Sequence, residues 1–471
     1  GTDRMLSYYS RLSYNYDEKY MGTMNFRADG SSKFGPNNKF AYFPSISAGW
    51  VVSREAFFPQ NPVVNLVKLR ASYGVNGSNT NLGRWKYLDL REFNSSGGIV
   101  TTSVKNSDLR WEESIQTDIA VDLGFLNNKI TLTADYFIKK TNGLLLETSV
   151  LASEGEGISV NAGEIQNKGI ELELDFRNRI GWFNYDIGIN GSYLHNEVTS
   201  LNDSTYKKLA GANIMGETVT NFQAGYPVWY LYGFKTGGVF QNWDDIDNHV
   251  TALHNADGTV DSIVIQPGAK PGEIKLLDIA SLDSTGKVVM VPDGRITDAD
   301  KTMIGNPHPD FTFGLNATFE FFNFDVQLFF QGVFGNEIYL FPRTERAFYN
   351  RPLYMYEERW TGEESPNEGL RAFSAETVGD NKRASDFWVY DGSYVRLKQL
   401  SIGYTIPNKI SSKALIQKFR IYFSANNVFT FTKYPGNDPE VGGNSDANSV
   451  GIDFSMYPSP KSYIVGLNLV F

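Results

Sequence analysis

The chain has 471 residues, no cysteine and a formal net charge of −10. The lack of cysteine excludes disulfide scaffolds, thiolate metal sites and cysteine nucleophiles, and the acidic balance argues against a nucleic-acid partner. No run of about 18 apolar residues could form a transmembrane helix, but this does not argue against a membrane barrel, whose strands expose only alternate residues to lipid.

Thirteen segments of roughly ten residues alternate apolar and polar side chains, as expected of tilted strands that cross a bilayer. They lie near 5–16, 19–29, 40–52, 66–76, 115–125, 129–139, 168–177, 182–194, 310–320, 322–334, 393–406, 418–429 and 461–471. In one of them, Ile170 and Leu172 alternate with Glu171 and Glu173. The strands of a soluble β-sandwich alternate in the same way, so the connections have to separate the two folds.

Short and long connections alternate along the chain. The shortest links are 16–18, 126–128, 178–181 and 321, and the long ones are about 77–114, 140–167, 195–309, 335–392 and 430–460. Long loops without secondary structure are uncommon in a compact soluble domain. Membrane barrels, in contrast, combine short periplasmic turns with long extracellular loops. The sequence therefore predicts an all-β fold, a transmembrane antiparallel β-barrel.

The number of strands and the end of the chain add a constraint. The last segment ends on the aromatic residue Phe471, which is typical of the closing strand of an outer-membrane barrel. Bacterial single-chain barrels have an even number of strands, and an open sheet would leave two unpaired edges in lipid. We therefore expect this chain to be the C-terminal part of a larger barrel, whose N-terminal strands come from a second chain or a missing segment.

Several motifs occur in a characteristic order across nearly the whole chain. They are FRADGSSKFG at 26–35, FPSISAGW at 43–50, VKLRASYG at 67–74, NKGIELE at 167–173, DGRITDAD at 293–300, IGNP at 304–307, SANNVF at 424–429 and YPSPKSY at 457–463. In this order and spacing they resemble the SusC/RagA-like TonB-dependent transporters of Bacteroidetes outer membranes. That resemblance implies a barrel of 22 strands around a plugged lumen. About nine strands and the plug domain would then lie outside this chain.

The resemblance also implies a function and partners. Such a protein lies in the bacterial outer membrane, surrounded by lipid and lipopolysaccharide, and imports an oligomeric nutrient. An oligosaccharide is favoured as the substrate, with an oligopeptide second. The expected partners are the N-terminal portion of the same transporter, a SusD-like lipoprotein lid, and TonB acting through the plug segment. Two SusC–SusD pairs would form a dimer, and no cofactor is required.

Two other functions compete with import. A surface barrel could bind or adhere through its long loops without energised transport. A glycan-degrading enzyme is the third class, because paired carboxylates carry out glycoside hydrolysis. The carboxylates of Glu171, Glu173 and Asp175 lie on a predicted strand without a recognisable cleft, however. The sequence therefore predicts no enzyme and no catalytic residue.

Two stretches of the long loops, 226–243 and 348–360, are rich in aromatic residues. The ligand-binding candidates there are Trp229, Tyr230, Tyr232, Trp243, Tyr349, Tyr354, Tyr356 and Trp360. Aromatic faces stack on sugar rings or pack against peptide side chains. The alternatives are packing within the loops, contact with a lid, or an aromatic belt at the membrane interface.

Three acidic residues in one loop suggest a site for a hard cation. Asp293, Asp298 and Asp300 lie in a glycine-containing stretch, and carboxylate oxygens are the ligands that Ca²⁺ prefers. The stretch departs from the EF-hand pattern, because its glycine comes too early and no glutamate closes it. Solvated turn acids are therefore the alternative to a calcium site.

Overall fold

The computed structural model describes residues 2–59, 61–80, 82–93, 99–103, 105–148, 158–201, 208–254, 260–340, 353–363, 369–371, 379–440 and 446–471. Within them, thirteen long strands form one antiparallel sheet and pair in chain order. They are β1 (Met5–Tyr16), β2 (Tyr20–Ser31), β3 (Phe40–Val51), β4 (Val64–Ser78), β5 (Glu112–Phe125), β6 (Ile130–Asn142), β7 (Glu164–Ile180), β8 (Phe183–Ser200), β9 (Phe311–Phe321), β10 (Phe324–Phe334), β11 (Tyr394–Ile406), β12 (Lys418–Thr432) and β13 (Ser462–Val470). Each predicted segment overlaps one of these strands, so the predicted antiparallel fold of thirteen strands is confirmed.

The two faces of the sheet differ in chemistry. Each strand contributes at least one exposed apolar side chain to the same face, namely Tyr14, Met24, Ile46, Leu69, Ile119, Tyr136, Ile170, Ile189, Phe311, Phe324, Ile402, Ile421 and Leu467. The opposite face carries polar groups such as Arg70, whose guanidinium donates to Asp122 on the next strand at 2.9 Å. Because strand side chains alternate, the register gives the sheet one apolar face and one polar face.

Tight turns join most of the strand pairs at one end of the sheet, where the β3–β4 and β11–β12 connections are longer. The turn between β9 and β10 is Phe322–Asn323, one residue later than predicted. Phe322 has a φ of +53°, in a region that bulky side chains rarely adopt. Its ring stacks on Trp182 of the neighbouring turn, with centroids 4.4 Å apart, and the Asn323 side chain donates to the carbonyl oxygen of Thr405 at 2.7 Å. These contacts stabilise a turn without a glycine.

The long connections at the other end contain secondary structure of their own. Their short strands are Leu90–Phe93, Ile99–Ser103, Leu145–Thr148, Ile158–Asn161, Lys208–Ala210, Asn213–Ile214, Glu217–Thr218, Thr220–Gln223, Tyr230–Gly233, Thr236–Val239, Val250–His254, Val260–Val264, Ile274–Leu276, Ser281–Leu282, Val288–Val289, Thr302–Gly305, Glu337–Leu340, Val389–Asp391 and Ile452–Asp453. Their described α-helices are Trp243–Asp247 and Leu353–Glu357, and a third described α-helix, Asn408–Ser411, lies in the β11–β12 connection at the opposite end. Among the described residues, no helix is long and apolar enough to cross a membrane.

Aromatic rings cover glycines on neighbouring strands. Phe137 on β6 lies against Gly169 on β7, and Phe43 on β3 lies against Gly77 on β4. A Cβ atom added to Gly169 would overlap the carbonyl oxygen of Tyr193 and lie 2.9 Å from the Phe137 ring. A ring that covers a strand glycine restores packing that the missing side chain leaves out. These glycines therefore allow close packing across the sheet.

We expect Gly169→Ala to lower the stability of the sheet by roughly 1–3 kcal/mol, because the added methyl group overpacks a site bounded by backbone. Gly22→Ala is the matched control, since nothing lies within 4 Å of a Cβ atom added there. The detergent-solubilised intact protein is incubated at increasing temperatures and then run on an SDS gel without boiling. The measurement is the temperature at which the band of the folded protein is lost. Equal transition temperatures for the two variants would contradict this packing argument.

Candidate functional site

The connections between β8 and β9, β10 and β11, and β12 and β13 pack around one apolar core. Its buried side chains include Leu231, Ile274, Leu276, Tyr339, Trp388 and Ile452. Backbone hydrogen bonds join the connections as well, since the Phe234 N–H donates to Ala384 and the Tyr339 N–H donates to Gly451, both at 2.8 Å. We call these packed connections the loop assembly. They pack together as one unit at the end of the sheet that carries the long connections.

Two of the aromatic candidates lie inside the loop assembly. Tyr230 is 2% exposed and Tyr232 is 7% exposed, and both belong to the short strand Tyr230–Gly233. The ring of Tyr230 stacks on Tyr226 with centroids 4.6 Å apart. Burial raises the pKa of the Tyr230 hydroxyl well above its usual range. Both rings therefore pack the loop assembly and do not present a face to a ligand.

Three further candidates are partly buried. Trp229 packs against Phe222, with ring centroids 5.2 Å apart. Tyr354 meets Tyr390 edge to face at 6.2 Å, and burial raises the pKa of its hydroxyl. Trp360 packs against the core of the loop assembly. Each of these rings has a structural role.

Trp243 and Tyr356 have the most exposed rings among the described candidates. Trp243 is 57% exposed at the start of a short helix, and Tyr356 is 60% exposed. The guanidinium of Arg359 lies 3.9 Å from the centroid of the Tyr356 ring. Tyr349 lies outside the described residues. The aromatic surface open to a ligand is therefore carried mainly by Trp243 and Tyr356.

The three acidic candidates do not converge. The Asp300 carboxylate is buried and accepts hydrogen bonds from the N–H groups of Ile279, Ala280 and Thr297 at 2.8–2.9 Å. Asp298 is 83% exposed at its side chain and pairs with a lysine, and Asp293 caps its own turn. Within the described ranges, no group of three histidine or acidic side chains could hold a metal ion. The structure instead gives Asp300 the role of an anchor for its loop.

A β-bulge in β11 places one arginine side chain on the polar face of the sheet instead of the apolar face. Leu400 and Ile402 lie on the apolar face, and strict alternation would place Arg396 there too. The pairing of β11 with both neighbours is interrupted around Leu397, so Arg396 instead lies opposite Gln331 on the polar face. Bulges commonly redirect a side chain in this way. The bulge was not predicted, although the sequence carries a signal for it: Leu397 and Leu400 are three positions apart, which breaks the period of two.

On the polar face, Arg396 links the β12–β13 connection to the sheet through ion pairs. Arg396 is 3% exposed and contacts the Asp438 carboxylate, while donating to Glu440 at 2.7 Å and Thr430 at 2.7 Å. Burial opposes ionisation of Asp438, but Arg396 and two backbone N–H groups outweigh it and hold the pKa of that carboxyl below its usual value. The segment around Asp438 is thus held against the polar face by charge.

Comparison with known proteins gives a consistent result. Residues 1–269 match the family model described as TonB dependent receptor-like, beta-barrel. TonB-dependent receptor P3 of Formosa agariphila is 32% identical over 99% of this chain and 45% of its own length. TonB-dependent receptor SusC of Bacteroides thetaiotaomicron is 26% identical over 99% of this chain and 44% of its own length.

A solved structure shares the fold. The RagAB peptide transporter has a TM-score of 0.76 at 22% identity, covering 99% of this chain and 47% of that one. The chain therefore spans about half the length of the relatives that it matches.

We expect Arg396→Gln to release the segment around Asp438, because removing one partner of a buried ion pair leaves the other charge uncompensated. Limited trypsin digestion of the intact protein should cut after Lys433 at least several-fold faster than in the wild type. Arg420→Gln is the matched control, since Arg420 pairs with Asp325 within the sheet and holds no loop. Equal cutting rates in the wild type, Arg396→Gln and Arg420→Gln would contradict the role of Arg396 in holding this segment.

The pKa of Asp438 predicts a pH dependence. Because the folded-state pKa lies below the usual 3.8, the carboxylate stabilises the fold at neutral pH, and this contribution is lost as the pH falls below that value. Asp438→Asn should therefore melt at a lower temperature than the wild type at pH 7, with the difference shrinking below about pH 4. The control is Asp244→Asn, at an exposed position. A difference that stays constant from pH 7 to pH 3 would argue against this ion pair.

Proposed function

Since this chain belongs to the TonB-dependent receptor-like β-barrel family, we propose that it forms part of a transporter for TonB-dependent import of an oligomeric nutrient. The protein is located in the bacterial outer membrane. The remaining strands and the plug, on which TonB acts, would be supplied by the portion of the transporter outside this chain. The import function that the family implies for this part of the protein is thereby assigned to the whole transporter.

The observation that carries the proposal is the division of the sheet into two faces. The apolar face suits contact with lipid and lipopolysaccharide, while the polar face suits a hydrated lumen. Some charged groups on the polar face are neutralised across strands, as in the pair formed by Arg70 and Asp122. Glu171 and Glu173 are exposed there, and in the described part of the chain no cation pairs with either. These polar and charged side chains suit the inner surface of a barrel, where a polar oligomer and the plug would both be in contact with water.

The loop assembly suits the mouth of such a transporter. Its shared core gives the long connections a defined surface, on which a SusD-like lipoprotein lid would dock, and two such pairs would form the dimer. Among the described candidate residues, Trp243 and Tyr356 have exposed rings that are available there for stacking. Exposed aromatic faces suit sugar rings, so an oligosaccharide is our first substrate and an oligopeptide our second.

Substrate class is tested by mass spectrometry of small molecules released from the intact complex, purified from native outer membranes. We expect bound glycan oligomers and co-purification of a SusD-like lipoprotein. The double variant Trp243→Ala/Tyr356→Ala should retain at least tenfold less, because its stacking surfaces are lost. Phe57→Ala is the control, with an exposed ring in the connection between β3 and β4. Peptides in place of glycans would transfer the proposal to the second substrate, and equal retention by the double variant would contradict the assigned residues.

Energised transport is tested in cells that lack TonB. Uptake of the isotopically labelled oligomer identified above should stop, whereas its binding at the cell surface should persist. If uptake continues unchanged without TonB, the import proposal is wrong. Surface binding without uptake even in TonB-containing cells would favour the alternative of a binding or adhesion protein.

A further inference from the structure

The loop assembly contains a cavity of about 540 Å³ that none of the aromatic candidates lines. It lies between the strand Val260–Val264, the turn at 266–269 and the segments 294–296 and 380–383. Pockets for small molecules in proteins typically measure about 300–1,000 Å³. The cavity is therefore large enough for a ligand of that class.

One of the residues that line the cavity, Asn381, has a buried hydrogen-bond donor without an acceptor. Asn381 is 1% exposed, and its Oδ1 atom accepts from the Ile274 N–H at 2.9 Å. This bond determines the orientation of the amide, because a flipped amide would set two donors against each other. The buried Nδ2 atom has no hydrogen-bond partner. Since an orphaned buried donor is unfavourable, an oxygen acceptor at this position would be favourable.

The neighbouring amide contrasts with Asn381. Gln266 is 5% exposed, and its Oε1 atom accepts from the Leu276 N–H at 2.7 Å. Its Nε2 atom donates to the Ile274 carbonyl oxygen at 3.2 Å and to Asp380 at 2.9 Å. Gln266 is therefore satisfied by the protein itself, and of these two amides it is Asn381 that is left with a donor to offer.

Among the described residues that line the cavity, one cation is left free. Asp380 lies 3.7 Å from Arg383, and Glu273 accepts from Arg371 at 3.2 Å, so both carboxylates are paired. The exposed Arg295 side chain makes no ion pair or hydrogen bond with the described chain. Arg295 and Asn381 both line the cavity, so an anionic ligand there would offer each of them a partner.

The remaining walls are aliphatic. Ile263, Pro267 and Ile296 contribute them, and no described residue that lines the cavity is aromatic. Sugar rings are usually held by stacking, which this lining does not offer. We propose that the cavity binds a small carboxylate with an aliphatic body, such as leucine or the C-terminal residue of an apolar peptide. The carboxylate accepts from Asn381 Nδ2 and pairs with Arg295, and the aliphatic part packs against the isoleucines.

This site is independent of the stacking residues assigned to import and of which oligomer is transported. The test is isothermal titration of the intact detergent-solubilised protein with N-acetyl-leucine and, in parallel, with its neutral isostere N-acetyl-leucinamide. We expect saturable binding of the acid and at least tenfold weaker binding of the amide. Equal binding of both probes, or no saturable binding of the acid at tens of millimolar, would overturn the proposal.

Variants locate the binding. Arg295→Ala should weaken binding of N-acetyl-leucine at least tenfold, and Arg295→Lys should restore part of it, because the positive charge returns. Lys287→Ala is the matched control, an exposed cation on the same connection that does not line the cavity. Asn381→Ser should also weaken binding of N-acetyl-leucine, and unchanged binding would contradict the role of the buried donor. Binding unaffected by Arg295→Ala would contradict the site.

Two further probes separate the sources of the ligand. Tighter binding of alanyl-leucine than of leucine would identify peptide C-termini as the occupants, whereas tighter binding of leucine would identify the free amino acid. Both results support a carboxylate site, since each ligand carries the same terminal group.

Discussion

Continuous hydrogen bonding between neighbouring strands is the constraint on which the rest of this structure depends. Within hydrocarbon, backbone N–H and C=O groups have no water to bond, so each strand has to pair along the length that meets lipid. Pairing also determines the register, and a slip of one residue would place Glu171 and Glu173 among lipid chains. The division between an apolar and a polar face therefore follows from the backbone as much as from the side chains.

The same constraint explains why the bulge beside Leu397 matters. It interrupts pairing near the long-connection end and inverts the alternation, which moves Arg396 from the apolar face to the polar face. There its charge meets Asp438 and Glu440 and holds a long connection in place. A local irregularity in the sheet thus determines how a distant segment of the chain is positioned.

The sheet and the loop assembly are stabilised in different ways. Leu172 on the sheet is 50% exposed, whereas Ile274 in the loop assembly is 0% exposed. The loop assembly therefore has a core of the kind found in soluble proteins, stabilised by removal of apolar surface from water. It joins this core to a sheet whose apolar side chains face outward. Long connections with a fixed arrangement can thus be attached to a sheet of regular strands.

The sequence predicted these two parts unequally. The strands were predictable because alternation with period two is a local signal, and even the irregular turn at Phe322 was misplaced by only one residue. The loop assembly was not predictable, because its core joins residues as distant as Leu231 and Ile452. For that reason Tyr230 and Trp243 looked equivalent in sequence, although one is buried and the other exposed. The cavity beside Asn381 depends on the same distant contacts and left no local pattern.

The central claim is that the polar face lines an aqueous lumen while the apolar face meets lipid. Since the chain contains no cysteine, single cysteines can be placed at successive positions of β7 in the intact protein. A charged, membrane-impermeant thiol reagent should label Glu171→Cys and Glu173→Cys rapidly in native membranes, and label Ile170→Cys and Leu172→Cys at least tenfold more slowly. Equal labelling at all four positions would contradict the account.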